Sequence, residues 1–212
     1  MTPPVKRIVG LDFDNTIVTY DQVIYRIALQ RGIIPPGADA GKRAVRDRIR
    51  QLPDGDVEWQ KVQGLVYGPR MSEAQLIDGV AAFVRRCRVA GFPVYIVSHK
   101  TPYAGYDETA TNLREAALRW MEDRRFFAGD GLGFGRDHVF FESTREAKIG
   151  RIRDLGCTLF VDDLEEVFRE PSFPSGVAKI LFAPEQAETA VAGAMVMRNW
   201  RAIHDHVFDQ PA

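Results

Sequence analysis

Five short runs of the chain are dense in apolar residues: Arg7–Phe13, Pro93–Ser98, His138–Glu142, Thr158–Val161 and Ala178–Phe182. Four are rich in β-branched or aromatic residues with little alternation, which predicts strands buried on both faces. Between them, apolar positions recur at helical spacing. Leu76, Ile77, Val80, Val84 and Cys87 share one face behind the capping-box pattern Ser72–Gln75, and Gly91 and Pro93 end that helix. Leu113, Ala116, Ala117 and Trp120 mark a second helix. A further capping box, Ser143–Glu146, opens a third with Ile149, Ile152 and Leu155, and the last helix covers roughly Ala187 to Val207. Strands alternating with helices predict an α/β fold, a doubly wound, Rossmann-like parallel sheet of about five strands.

The interval between the first two strands is too long for one crossover and carries its own helical patterns. Val23, Ile24, Ile27 and Ala28 share one face, Val45, Ile49 and Leu52 another, and a third segment runs from Val57 to Tyr67. Pro35-Pro36-Gly37 and Pro53-Asp54-Gly55 punctuate them. A small helical insertion is expected over residues 19–70, within an α/β core made of 1–18 and 71–212.

The 212 residues suit one domain with such an insertion, and 45% hydrophobic residues can build a real core. Lys plus Arg (28) nearly balance Asp plus Glu (29), so no bulk positive field points to nucleic acid or an anionic membrane. Any partner must be argued from a local site. Cys87 and Cys157 sit in apolar segments and read as buried, reduced thiols. The N-terminus reaches acidic residues too soon for a signal peptide, and no apolar run approaches spanning length. The expectation is a cytoplasmic protein.

Chemistry gathers at three strand ends, where open parallel sheets bind ligands. The first ends in Asp12-Phe13-Asp14-Asn15-Thr16, the second in Ser98-His99-Lys100 and the fourth in Asp162-Asp163. Converging carboxylates repel one another and take up protons unless a cation sits among them. A hard divalent ion answers that need, and Mg²⁺ prefers oxygen ligands and leaves room for a substrate phosphate.

These motifs resemble those of the haloacid dehalogenase superfamily, in its phosphatase branch. D-x-D-x-T is matched by Asp12, Asp14 and Thr16, the strand-end hydroxyl by Ser98, the helix-start lysine by Lys148, and the acidic pair by Asp162 and Asp163. The resemblance covers nearly the whole core, in order, and implies a sheet with the first strand in the middle. It implies Asp12 as nucleophile, Asp14 as general acid and then base, and Thr16, Ser98 and Lys148 as phosphate ligands. It implies Mg²⁺ held by Asp12, Asp14 through its carbonyl, Asp162 and Asp163. The inserted helices resemble the family's first-position cap. The implied activity is hydrolysis of a small phosphomonoester, a sugar phosphate or nucleotide among the options. Phosphoryl transfer to another acceptor, as in a mutase, and a non-catalytic phosphate-binding or scaffold role stay open beside it.

Several positions carry two readings. Asn15 stands where the family commonly has Gly, and Asn is the next residue most tolerant of left-handed geometry. Lys100 follows Ser98 closely and competes with Lys148. Without the motif, Asp12 and Asp14 could be a solvated turn, Asp162 and Asp163 helix N-terminal acids, and Ser98 a hydroxyl bonded to backbone. His99 reads either as a contact to a leaving group or as an ordinary loop histidine, and His204 and His206 read as surface residues and not a metal site. Gly129–Gly135 precedes a strand, so it reads as a flexible connection and not a nucleotide loop. Arg43, Arg46 and Arg50 share a helical face, either solvated or facing a second anionic group on the substrate. Trp59 and Tyr67 read as core of the insertion.

Overall fold

The computed structural model describes residues 7–106, 109–184 and 192–209. From the N-terminus the chain forms β1 (Val9–Leu11), β2 (Val18–Thr19), α1 (Asp21–Gln30), α2 (Lys42–Arg50), α3 (Gly55–Tyr67), β3 (Gln75–Leu76) and α4 (Val80–Val89). It continues with β4 (Val94–His99), α5 (Leu113–Asp123), β5 (Val139–Glu142), α6 (Arg145–Asp154), β6 (Leu159–Asp162), α7 (Glu165–Arg169), β7 (Ala178–Phe182), β8 (Ala194–Met197) and α8 (Trp200–Phe208). Two units emerge. One takes in the chain up to Ile17, Leu76–His99 and the part from Arg125 onward; the other takes in Val18–Gln75 and Lys100–Arg124.

The first unit is an α/β fold on a six-stranded sheet of order β5-β4-β1-β6-β7-β8, parallel at every pairing. β1 lies inside it, with Val9 opposite Val94 on one side and Leu159 on the other. Its three residues are buried, as a central strand covered on both faces requires. On one face Val97, Phe160 and Leu181 pack with Ile149 and Ile152 of α6 and Val167 and Phe168 of α7. On the other, Trp200 of α8 meets Phe83 of α4 at 5.1 Å and Phe182 of β7 at 6.0 Å between ring centroids.

Three local differences from the sequence pattern have physical causes. α4 starts at Val80, not at Ser72: Met71–Glu73 is a lone 3₁₀ turn, and Gly79 at φ 87° reverses the chain before the helix. The expected last helix over Ala187–Val207 is instead a sixth strand followed by a shorter helix. Residues 194–197 pair with β7, and Asn199 restarts the backbone as a cap by accepting from the Ala202 N–H at 2.8 Å; 187–191 lie outside the described residues. Gly129–Gly135 is pinned and not a loose connection. Arg88 donates to the Gly129 carbonyl at 2.8 Å, Phe134 N–H bonds the Phe126 carbonyl, and the two phenyl rings stack.

In the second unit α1, α2 and α3 pack on one another, burying Val23, Ile24 and Ile27, then Val45 and Ile49, then Trp59, Val62 and Val66. α5 joins α3, and its Trp120 indole donates to the Ala74 carbonyl at 2.9 Å. Arg70 grips Glu73 with two hydrogen bonds, at 2.6 and 2.8 Å, and Arg26 adds a third. These bonds hold the Glu73 carboxyl down at about 2. On α2, Arg46 pairs with Asp47 and Arg50 with Asp56.

Gly10 shows how tightly β1 is seated. A Cβ there would lie 2.4 Å from Phe160 Cδ2 and 3.0 Å from Cys157 Sγ. Gly10→Ala should therefore overpack the sheet and cost about 1–3 kcal/mol, read as a lower urea midpoint at unchanged m.

Candidate active site

The carboxyl ends of β1 and β6 bring charge together inside the first unit. β6 keeps its last residue, Asp162, fully buried, and the amide of Asp12 donates to the Val161 carbonyl at 2.9 Å. Asp12 is 5% exposed. Two carboxylates so placed need a cation, and α6 supplies it. Thr144 caps that helix by accepting from the Ala147 N–H, and one turn on Lys148 is 1% exposed. Its Nζ sits 2.6 Å from Asp12 Oδ1 and 2.6 Å from Asp162 Oδ2, and 5.5 Å from the centroid of the Phe160 ring. The other Asp162 oxygen accepts from the Leu164 amide at 3.0 Å. The cap is Thr144 and not Ser143, one position later than the Ser143–Glu146 pattern suggests.

The charges are unequal in number. Burial pushes the Asp12 carboxyl up to about 7; Lys148 pulls it down, while the charges of Asp162 and Asp14 push it further up. Burial opposes the Lys148 charge, but Asp12 and Asp162 together outweigh it and hold its pKa above the ordinary lysine value. One oxygen from each of Asp12, Asp162 and Asp163 falls within 4.8 Å of the others. One ammonium does not neutralise that set, and a hard oxygen-seeking divalent cation fits it. A second such group, His204, Asp205 and Asp209, lies at the surface near the end of α8.

The loop after β1 is bent by Asn15, whose φ of 58° is left-handed, the geometry Asn tolerates best after Gly. Phe13 is buried edge-on to Phe141. The Ile17 amide closes the turn on the Phe13 carbonyl at 2.9 Å. Thr16 is wholly buried, and its Oγ1 has no hydrogen-bond partner among the described residues. A buried hydroxyl without a partner costs about 1–3 kcal/mol, so a ligand oxygen there would be welcome.

Asp12, Lys148, Asp162 and Asp163 are thus brought together. Ser98 is 1% exposed on β4, and the neighbouring His99 ring contacts the Ser143 carbonyl at 3.1 Å. Lys100 belongs to the second unit, where its Nζ lies over the Tyr67 ring at 5.0 Å. The sequence reading missed Trp200, whose indole N–H donates to the Thr16 carbonyl at 2.9 Å across 184 positions. Asn199 before an apolar helical run could have marked that helix start, but not its destination.

No protein-family model matches the chain, and no curated protein does. Solved structures do. A haloacid dehalogenase family hydrolase from Deinococcus radiodurans, with bound phosphate and sodium, aligns at TM-score 0.56 and 18% identity, over 97% of this chain and 98% of that one. A predicted phosphoglycolate phosphatase from Haemophilus somnus aligns at TM-score 0.56 and 13% identity, over 97% and 100%. An L-2-haloacid dehalogenase aligns at TM-score 0.52 and 15% identity, over 95% and 98%. The chain has the haloacid dehalogenase fold, and no helix among the described residues is long and apolar enough to cross a membrane.

The cluster makes two outcomes measurable. Lys148→Met strands two buried carboxylates and should cost about 3–5 kcal/mol at pH 8. The loss should shrink toward pH 5: without the Lys148 charge that pulls it down, the Asp12 carboxyl rises still further above its unfolded value of 3.8, so the variant regains stability as pH falls and that carboxyl takes up a proton. A divalent cation seated among these acids would have to displace the same proton, so a rise in Tm on adding Mg²⁺ should be larger at pH 8 than at pH 6, measured by calorimetry.

Proposed function

We propose that this chain is a divalent-metal-dependent phosphomonoesterase of the haloacid dehalogenase superfamily, acting on a small phosphate ester. The observation that carries the reading is the Asp12–Lys148–Asp162 bridge with a second acid, Asp14, two residues past Asp12. The dehalogenase branch that the sequence resemblance sets aside lacks that second acid. The phosphate in the structure from Deinococcus radiodurans lends support for a phosphorylated substrate.

In this mechanism an Asp12 oxygen attacks phosphorus while the ester oxygen departs, taking a proton from Asp14. Asp14, now a carboxylate, accepts a proton from water as that water attacks the phosphorus of the aspartyl phosphate. Phosphate leaves and Asp12 is regenerated. Lys148 offsets the charge on Asp12 and on the phosphoryl oxygens, and the hydroxyls of Thr16 and Ser98 donate to those oxygens. Asp12, Asp162, Asp163 and the Asp14 carbonyl would hold Mg²⁺, which supplies Lewis-acid stabilisation of the phosphoryl charge. The inserted helices, residues 19–70 in the sequence reading, would serve as the cap that excludes water, which suits a sugar phosphate or a nucleotide.

The test is phosphate release from sugar phosphates, nucleotides and an aryl phosphate, with and without Mg²⁺, alongside chloride release from a 2-haloacid. Phosphate release should need Mg²⁺, vanish in Asp12→Asn, and fall roughly 10²–10⁴-fold in Asp14→Asn. Chloride release without phosphate release, or phosphate release that survives Asp12→Asn, would sink the proposal.

A further inference from the structure

We infer that Trp200 is a positioning residue for the phosphate-binding loop, acting through the backbone of Thr16. The inference rests on the phosphatase reading above, in which the Thr16 hydroxyl donates to a phosphoryl oxygen. Thr16 is anchored at its carbonyl and left open at its hydroxyl. The carbonyl accepts from Trp200 Nε1 at 2.9 Å, and both residues have no exposed surface. The hydroxyl of the same residue is buried and has no hydrogen-bond partner among the described residues.

The next residue is tied on both sides. The Ile17 amide donates to the Phe13 carbonyl, and the Ile17 carbonyl accepts from the Ile77 amide, each at 2.9 Å. Fixing the Thr16 carbonyl together with the Ile17 amide fixes the peptide plane between them. That plane sets where the Thr16 side chain stands.

Trp200 can hold the loop because it is itself immobile. Its ring is wedged between Phe83 and Phe182. Gly79 passes so close that a Cβ there would fall 2.7 Å from Trp200 Cβ. Asn199 caps the helix that Trp200 opens. A tryptophan kept only for core packing would be indifferent to which buried carbonyl its N–H met. Here it meets the carbonyl of the one residue in the loop whose hydroxyl is left open to a ligand.

Two variants separate the roles. Trp200→Phe keeps an aromatic ring against Phe83 and Phe182 but removes the donor and some ring volume, whereas Phe83→Leu removes volume from the same cluster and leaves the donor in place. The readouts are KM for the best ester, the inhibition constant of inorganic phosphate, Tm, and NMR-detected exchange of the Ile17 amide. Trp200→Phe should weaken phosphate roughly tenfold and raise KM in parallel, the effect of one lost buried hydrogen bond. It should also speed exchange at Ile17. Phe83→Leu should lower Tm but leave the phosphate constant and Ile17 exchange near wild type. Equal losses of phosphate affinity in the two variants, or a wild-type constant in Trp200→Phe, would overturn the positioning role while leaving the phosphatase reading intact. Folded wild-type protein that neither binds nor releases phosphate would overturn both.

Discussion

A single buried ammonium organises this protein. Lys148 stands between Asp12 and Asp162, which arrive from strands on either side of the same ladder and would otherwise face each other with no cation between them. Taking charge out of water is costly, so the arrangement survives only with close geometry on both sides. The fold provides it through three constraints. β1 and β6 are neighbours in register, Thr144 sets the start of α6, and Phe160 lies beneath the ammonium. Even so, the acids outnumber the base, and the excess negative charge suits the cluster to a divalent cation instead of to stability alone.

The sheet was largely legible in the sequence because its inner strands, β1 and β6 above all, are buried on both faces. Unbroken runs such as Leu159–Val161 leave no other reading, and all five expected strands are present within a residue or two at their ends. The sixth was hidden. Ala194–Met197 is an edge strand with Met195 and Val196 partly exposed, so it has the weak pattern of a half-buried segment and blends into the helical spacing that follows. Ser72–Gln75 misled for a different reason. A capping pattern records a local preference, and here Gln75–Leu76 is strand while the helix is delayed until after Gly79 at φ 87°.

The candidate site was legible where chemistry demands a residue type at a strand end, and illegible where it depends on distance through space. Asp12, Asp162 and Asp163 could be picked from the ends of apolar runs. Lys100, directly after a strand, competed with Lys148, which the motif placed at a helix start, and strand ends alone did not separate them. In the fold, Lys148 meets Asp12 directly, while Lys100 falls in the stretch that clusters with the inserted helices. That stretch, Lys100–Arg124, joins them through α5, whose periodicity says that it is amphipathic but not which unit buries it. Trp200 lay beyond any local pattern, because its partner is a backbone carbonyl that no side-chain identity betrays.

The strand order has a consequence for biosynthesis. β1 is made first, yet its neighbours are β4 and β6, so Val9 waits for Val94 and then for Leu159 before both of its edges are covered. Loop closure over such spans is slow compared with local helix formation. A nascent chain emerging from the ribosome therefore carries Asp12 and Asp14 in solvent until β4 and β6 follow, while the helices after β1 can already fold. The charge cluster is assembled only once α6 and β6 have both been made. Until then the emerging chain lacks the gathered carboxylates that could capture a cation.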